Sequence, residues 1–205
     1  MINSPGGQAH WESVYSERRP TEISWFEKVP TSSLRLIEAA DLAPDTASLL
    51  DVGGGTSRLA AALGAAGYED VTVADISAAA LQELGRASAK VKCVRADVRN
   101  HDFGRTYDLW HDRAVFHFMV SAADQEGYLA TLRRTLRLGG HLIIATFGPE
   151  GPTTCSGLPV ARYGAEDLSS RLGDGFDLVS AAIEEHVTPS GNLQQFVHGH
   201  FRRES

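Results

Sequence analysis

Two segments of this chain are best equipped for chemistry: Leu49-Leu50-Asp51-Val52-Gly53-Gly54-Gly55-Thr56-Ser57 and Val71-Thr72-Val73-Ala74-Asp75. An apolar strand running into a glycine turn and then a helix brings bare backbone close to a ligand. Glycine has no Cβ to clash there and reaches positive φ cheaply. Asp75 closes the second apolar run, where a nucleotide-binding α/β fold holds a ribose diol. A dinucleotide fingerprint wants G-x-G-x-x-G, but Arg58 occupies the third glycine position. A phosphate-cradling loop needs Gly-Lys-Ser/Thr, and none of Lys28, Lys90 and Lys92 adjoins such a loop.

A second set follows the fourth apolar run, in Trp110-His111-Asp112-Arg113-Ala114-Val115-Phe116-His117-Phe118. Chemistry in doubly wound sheets sits beyond the carboxyl ends of the strands, so His111, Asp112 and His117 are the candidate catalytic residues. His117 suits a general base because imidazole titrates near neutrality; packing in a core is the plainer alternative. Arg113 lies beside them as a candidate acceptor contact. The stretch Gly148–Tyr163 is long for a strand–helix connection and carries Cys155, Arg162 and Tyr163. Arg162 suits a carboxylate or phosphate, or a surface pair with Glu166. Trp11 and Tyr15, four apart, share one face of a helix and are expected over the cofactor, with Trp25 and Phe26 toward the acceptor. His198 and His200 share a strand face, but His186 falls roughly 10–16 Å down the ladder from them. A third ligand is missing, and no metal is expected.

The alternation of elements must position these residues. Strands are expected at Ser48–Val52, Val71–Asp75, Val91–Arg95, Tyr107–His111 and Gly140–Phe147. Helices are expected at Ser32–Ala40, Ser57–Ala66, Ser77–Ala87, Ala123–Leu136 and Ala165–Leu172. Ser77 is a plausible N-cap, and Gly139-Gly140 is expected to end one helix and open the next strand. Phe176–Glu185 and Gln194–Arg203 have no helix between them and must pair antiparallel. A doubly wound α/β sheet closed by a reversed hairpin follows. Residues 1–45 are expected to be a helical lid and 46–205 the core domain.

The 205 residues, 42% hydrophobic and 22% charged, suit one globular domain. A net charge of −7 argues against a general nucleic-acid binder. Two distant cysteines, no basic leader and no long apolar run fit a cytoplasmic protein outside the membrane.

An acid two residues before G-x-G-x-S resembles motif I of the class I S-adenosylmethionine (SAM)-dependent methyltransferases, with Ser57 where a last glycine is commonest. The resemblance covers nearly the whole chain and implies a Rossmann-like seven-stranded sheet in the order 3-2-1-4-5-7-6. It implies SAM as cofactor, S-adenosylhomocysteine as product, and a small-molecule acceptor whose methylated atom is unspecified. Residue by residue, it places Asp51, Gly53 and Gly55 at the methionine end and Asp75 on the ribose. Asp97 falls at the adenine amino group, with a helix cap or turn as its plainer role. Val98 and Ile76 fall against the ring, and His111 also falls at the cofactor. Segments Trp110–Phe118, Cys155–Tyr163 and His186–Phe196 are similar to small bacterial members of mostly unassigned substrate. His10-Trp11-Glu12-x-x-Tyr15 with Glu22–Phe26 resembles a group of protein lysine methyltransferases. Those carry D-K-G-T-x-D where this chain has Asp112-Arg113-Ala114-Val115-Phe116-His117. A lysine methyltransferase and a silent SAM-binding subunit are therefore rivals. A short-chain dehydrogenase is more distant, since Asp167 follows Tyr163 where lysine is wanted. A monomer or homodimer is expected.

Overall fold

The computed structural model describes residues 7–87 and 91–205. Residues 1–6 of the expected lid lie outside the described residues. Seven strands form one mixed sheet: β1 (Ser48–Val52), β2 (Asp70–Asp75), β3 (Lys92–Arg95), β4 (Tyr107–Arg113), β5 (Leu136–Phe147), β6 (Phe176–Val187) and β7 (Leu193–Arg203). Their spatial order is β3-β2-β1-β4-β5-β7-β6, as expected. The first five are parallel; β7 runs antiparallel to both β5 and β6. Helices α1 (Gln8–Glu17), α2 (Thr31–Glu38), α3 (Leu59–Ala65), α4 (Ala78–Ala87), α5 (Ala122–Thr135) and α6 (Ala165–Leu172) complete the fold. None of the described helices is long and apolar enough to cross a membrane.

Side chains on a strand alternate between faces, and both faces of the sheet's central strands are covered. Leu50, Val52, Trp110, Leu142 and Ile144 point into the core under α5 and α6. Leu49, Val71, Val73, Leu109 and Ile143 point the other way, against α2, α3 and α4. Leu36 and Ile37 of α2 are buried in that second core, so α2 is scaffold. The expected lid narrows to α1 and the segment joining it to α2.

Boundaries moved where local chemistry intervened. Helix α5 stops at Thr135 and β5 starts at Leu136, earlier than Gly139-Gly140 suggested. Gly139, at φ 73°, lies in a register break between β4 and β5. Ser77 does cap α4, accepting from Ala80 N at 3.2 Å. The hairpin is longer than expected because pairing continues through Val187↔Leu193, and Thr188 N donates to Asn192 O across the turn.

A buried polar bracket joins β4 to α5. Trp110 Nε1 donates to Tyr128 Oη at 2.9 Å, and Tyr128 Oη donates to Asp112 Oδ2 at 2.6 Å. Tyr128→Phe strands an indole donor and removes a donor from a buried carboxylate. It is expected to lower unfolding free energy by about 1–3 kcal/mol, read as a fall in denaturation midpoint at unchanged slope.

Candidate cofactor and acceptor site

A cavity of about 450 Å³ opens at the carboxyl ends of β1, β2, β3 and β4. That volume is ordinary for a small-molecule site. One end is formed by Gly53, Asp75, Ile76, Asp97, Val98 and Arg99; the other by Trp11, Tyr15, Trp25, Arg113, Phe118 and Cys155. The sequence brought nine of these twelve forward. Arg99, Phe118 and Cys155 carried weaker signals or none.

The glycine turn is as tight as its sequence required. Gly53 and Gly55 take φ of 60° and 51°. A Cβ on Gly53 would collide with Val115, on Gly54 with Asp51 and Val73, and on Gly55 with the Tyr15 hydroxyl. The bare backbone thus lets Tyr15 of α1 settle onto the loop.

Asp75 accepts from Ser77 N at 2.8 Å. Burial pushes its carboxyl up to about 6 despite that bond. Asp97 is gripped by Arg99, at 2.6 Å to Oδ2, and Arg99 also reaches Asp124 at 2.7 Å. Burial would raise the Asp97 carboxyl, and Arg99 outweighs it, holding the group below its usual range. Asp97 also closes a turn, accepting from Arg99 N, so its plainer role is present alongside its place in the cavity.

The three candidate catalytic residues do not come together: alternation along β4 separates His111 from Asp112, and His117 lies on the turn beyond the strand. His111 points into the α2 side, 5% exposed. Its Nδ1 lies 2.7 Å from Asp51 Oδ1 and its Nε2 lies 2.8 Å from Ser33 Oγ. It borders a small chamber behind the glycine turn and does not line the large cavity. Asp112 points the opposite way and is spent on Tyr128 Oη and the Val115 and Phe116 amides. His117 is sealed between Phe118 and Phe147. Burial, aided by Arg113, lowers His117 to about 3, so it stays neutral and remote from the cavity. None of His111, Asp112 and His117 lines the large cavity, where a base for the acceptor was expected.

The acceptor candidates divide as well. Arg113 borders both chambers and donates to Trp25 O at 2.8 Å, with Glu27 at 3.1 Å. Trp25 lines the large cavity, while Phe26 lines only the small one, under Arg58. Arg162 turns away and donates to Gly151 O. Tyr163 stacks on Phe116 in the core and accepts from Gln125. Both are corrections: their loop contributes Cys155, Leu158 and Pro159 to the cavity instead. Tightly turned loop backbone gave no periodicity from which to foresee that exchange.

Helix α1 is held by a contact with no sequence signal. Glu12 accepts from Ser77 Oγ at 2.9 Å, Ala78 N at 2.9 Å and Ala79 N at 3.2 Å, closing the N-terminus of α4 from another element. A carboxylate there also meets the positive end of the helix dipole. Trp11, on the same helix, packs edge-on against Trp25 and Phe118, with centroids 6.0 and 4.9 Å away.

Two substitutions test this architecture. His111→Ala removes the ring that bridges Asp51 to Ser33, leaving a gap and a buried carboxylate oxygen without its partner, and is expected to cost about 3 kcal/mol by chemical denaturation. A solvated histidine would change stability by within about 0.5 kcal/mol. Glu12→Ala is expected to cost about 1 kcal/mol and to speed amide exchange in α1 ahead of the sheet. Exchange in α1 that stays locked to the sheet's would make α1 scaffold.

A family model described as a methyltransferase domain matches residues 50–144. Among curated proteins, human EEF1A lysine methyltransferase 2 is 24% identical over 203 residues, covering 90% of this chain and 78% of that one. Among solved structures, a SAM-dependent methyltransferase from Anabaena variabilis superposes with a TM-score of 0.78 at 15% identity, covering 96% of this chain and 95% of its own. Burkholderia thailandensis 1,6-didemethyltoxoflavin-N1-methyltransferase, solved with 1,6-didemethyltoxoflavin and S-adenosylhomocysteine, gives 0.68 at 20% identity, covering 97% and 84%. These likenesses share the fold across almost the whole chain. The methyltransferase-domain match thus lies over the glycine turn and both acidic strand ends, within a fold that solved SAM-dependent methyltransferases share across almost the whole chain.

Proposed function

We propose that this protein transfers a methyl group from SAM to a small-molecule acceptor held at the aromatic end of the cavity. The observation that carries the reading is enclosure. Trp11 of α1, Trp25, Phe118 and Leu158 wall the acceptor end from separate elements. The Burkholderia enzyme, with its bound heteroaromatic, is a precedent for such a ligand on this fold.

The residues present fit the cofactor. Asp51 Oδ2 is buried and has no protein partner, and it stands beside the glycine turn where an ammonium would satisfy it. His111 and Ser33 hold the other Asp51 oxygen, so the free one is fixed in direction. Asp75 would take the ribose diol, Asp97 the adenine amino group, and Ile76 and Val98 the ring faces. Tyr15 would cover the turn. SAM supplies a methyl group already activated on a sulfonium. The chain's part is then to align acceptor and donor and to exclude water. Aromatic walls suit a neighbouring cation.

A coupled assay for S-adenosylhomocysteine release, run over small acids, phenols, amines and thiols beside a peptide array, tests the reading. Turnover of small molecules is expected. Turnover on peptides alone would favour the lysine methyltransferase rival, and SAM binding without any turnover would favour a silent subunit.

Asp75→Ala is expected to weaken SAM by about tenfold to a hundredfold in calorimetry, the loss of a charge-assisted diol contact of about 1.5–3 kcal/mol. The same assignment has a pH signature. Burial places the Asp75 carboxyl at about 6, and the ionised form is the acceptor the diol needs. SAM affinity is therefore expected to be level above about pH 7 and to fall by about tenfold per unit below pH 6. An affinity flat from pH 8 to 5 would remove Asp75 from the ribose.

A further inference from the structure

Resting on the small-molecule reading above, we propose that the acceptor enters with its nucleophile already an anion, a thiolate or a carboxylate on an apolar body, and that Arg113 faces its charge. Three observations meet here. The first concerns the groups able to take a proton. His111 is spent between Asp51 and Ser33, Asp112 on Tyr128 and two amides, and His117 is walled off from the cavity. At the acceptor end the titratable lining residues among those described are Tyr15, Cys155 and Arg113. Burial raises Tyr15 well above its usual range and Cys155 to about 11, so both keep their protons near neutrality. Asp75, within electrostatic reach of Tyr15, is the carboxylate given to the ribose above, and Asp97 and Asp124 are held by Arg99.

The second is the placement of the acids around Arg113. Glu27 and Asp51 border only the small chamber, on one side of the guanidinium. Its other side borders the large cavity, where Cys155 is uncharged. In the reading above the free Asp51 oxygen is taken by the cofactor's ammonium and Glu27 pairs with Arg113 itself, so beside the guanidinium the acceptor meets no unspent acid among the described lining residues. Its Nε has no protein acceptor, and its plane lies over the Phe196 ring at 5.1 Å. His117, His186 and His198 also face it, and burial holds each below the usual imidazole range. They add no positive charge near pH 7.

The third is the wall. Trp11, Trp25, Phe118 and Leu158 provide little screening, so the guanidinium favours an anion and disfavours an ammonium there.

The chemistry closes without a base. The acceptor's lone pair forms a bond to the methyl carbon as the carbon–sulfonium bond breaks, and that bond's electrons remain on sulfur. A thiolate gives a methyl thioether and a carboxylate gives a methyl ester. In both cases an anion and a sulfonium become two neutral groups, and no proton is left to remove. Amines and phenols, protonated near neutrality, would need the base that this end lacks.

Matched probes on one aromatic body test the inference: thiophenol, phenylmethanethiol, phenylacetate, phenol and benzylamine. At pH 7 a thiol or the carboxylate is expected to turn over at least about a hundredfold faster than phenol or benzylamine. For the thiols, kcat/KM is expected to rise with pH along each thiol's own ionisation. A profile shared by both thiols, set by an enzyme group, would overturn the inference. Preference for phenol or benzylamine would also overturn it while leaving small-molecule methylation standing. Activity on peptides alone would remove both readings. Binding supplies an arm independent of turnover. Phenylacetate is expected to bind the S-adenosylhomocysteine-loaded protein at least about tenfold tighter than benzylamine. Arg113→Met should abolish that difference, and Arg113→Lys should keep part of it. Equal binding of the two probes by the unmodified protein would sink the role of Arg113 whatever the variants do.

Discussion

Asp51 lies, 3% exposed, at the end of a central strand covered on both faces. An ionised carboxylate taken from water without a partner costs several kcal/mol, so its position is tenable only with a donor in reach. Parallel pairing sets His111 of β4 directly across from it, and His111 in turn needs an answer at its second nitrogen. Ser33 gives that answer from α2. A single electrostatic demand thereby ties β1, β4 and α2 into one unit behind the glycine turn. The arrangement also leaves one Asp51 oxygen unclaimed beside the turn, and the cofactor assignment depends on that asymmetry.

The same strand shows how period-two geometry shares out chemistry. Consecutive residues of β4 serve three masters: Trp110 and Asp112 stabilise the α5 side, His111 orients Asp51, and Arg113 reaches both chambers. The chain then turns sharply at Ala114, which holds φ of 70°. That region costs an L-residue about 1–2 kcal/mol. The lysine methyltransferase segment resembling this one has glycine at the matching position, where no such cost arises. The strained alanine lies at the cavity wall, its amide fixed to Ala145 O at 2.8 Å.

Much of the fold was legible because its signals are local and repeated. The apolar runs, the glycine turn and the unbroken pair Phe176–Glu185 and Gln194–Arg203 gave the strand order and the reversed hairpin. The cofactor end was legible for the same reason: Asp51, Gly53, Asp75 and Asp97 each close or follow a strand. The acceptor end was not, since it is assembled from α1, the turn after β4 and the long loop after β5. His111 and Asp112 looked like a pair in one dimension and point to opposite faces in three. Arg162 and Tyr163 sat in the right loop, but its backbone turned Cys155, Leu158 and Pro159 inward. Glu12 and Ser33 are ordinary residues for a helix, and only tertiary contact reveals what each satisfies.

The bond between Glu12 and Ser77 spans 65 residues of chain, and Glu12 is the earlier of the two. During synthesis α1 leaves the ribosome first, yet its dock does not exist until β2 and the first turn of α4 have formed. At about 5–20 residues per second, several seconds separate the two. Through that interval Trp11 and Tyr15 have Trp25 to pack on, but Phe118 is still to come. Helix α1 is thus made well before the element that holds it. Joined to the sheet by a cap and a few rings, it is also among the first to leave when the native state opens.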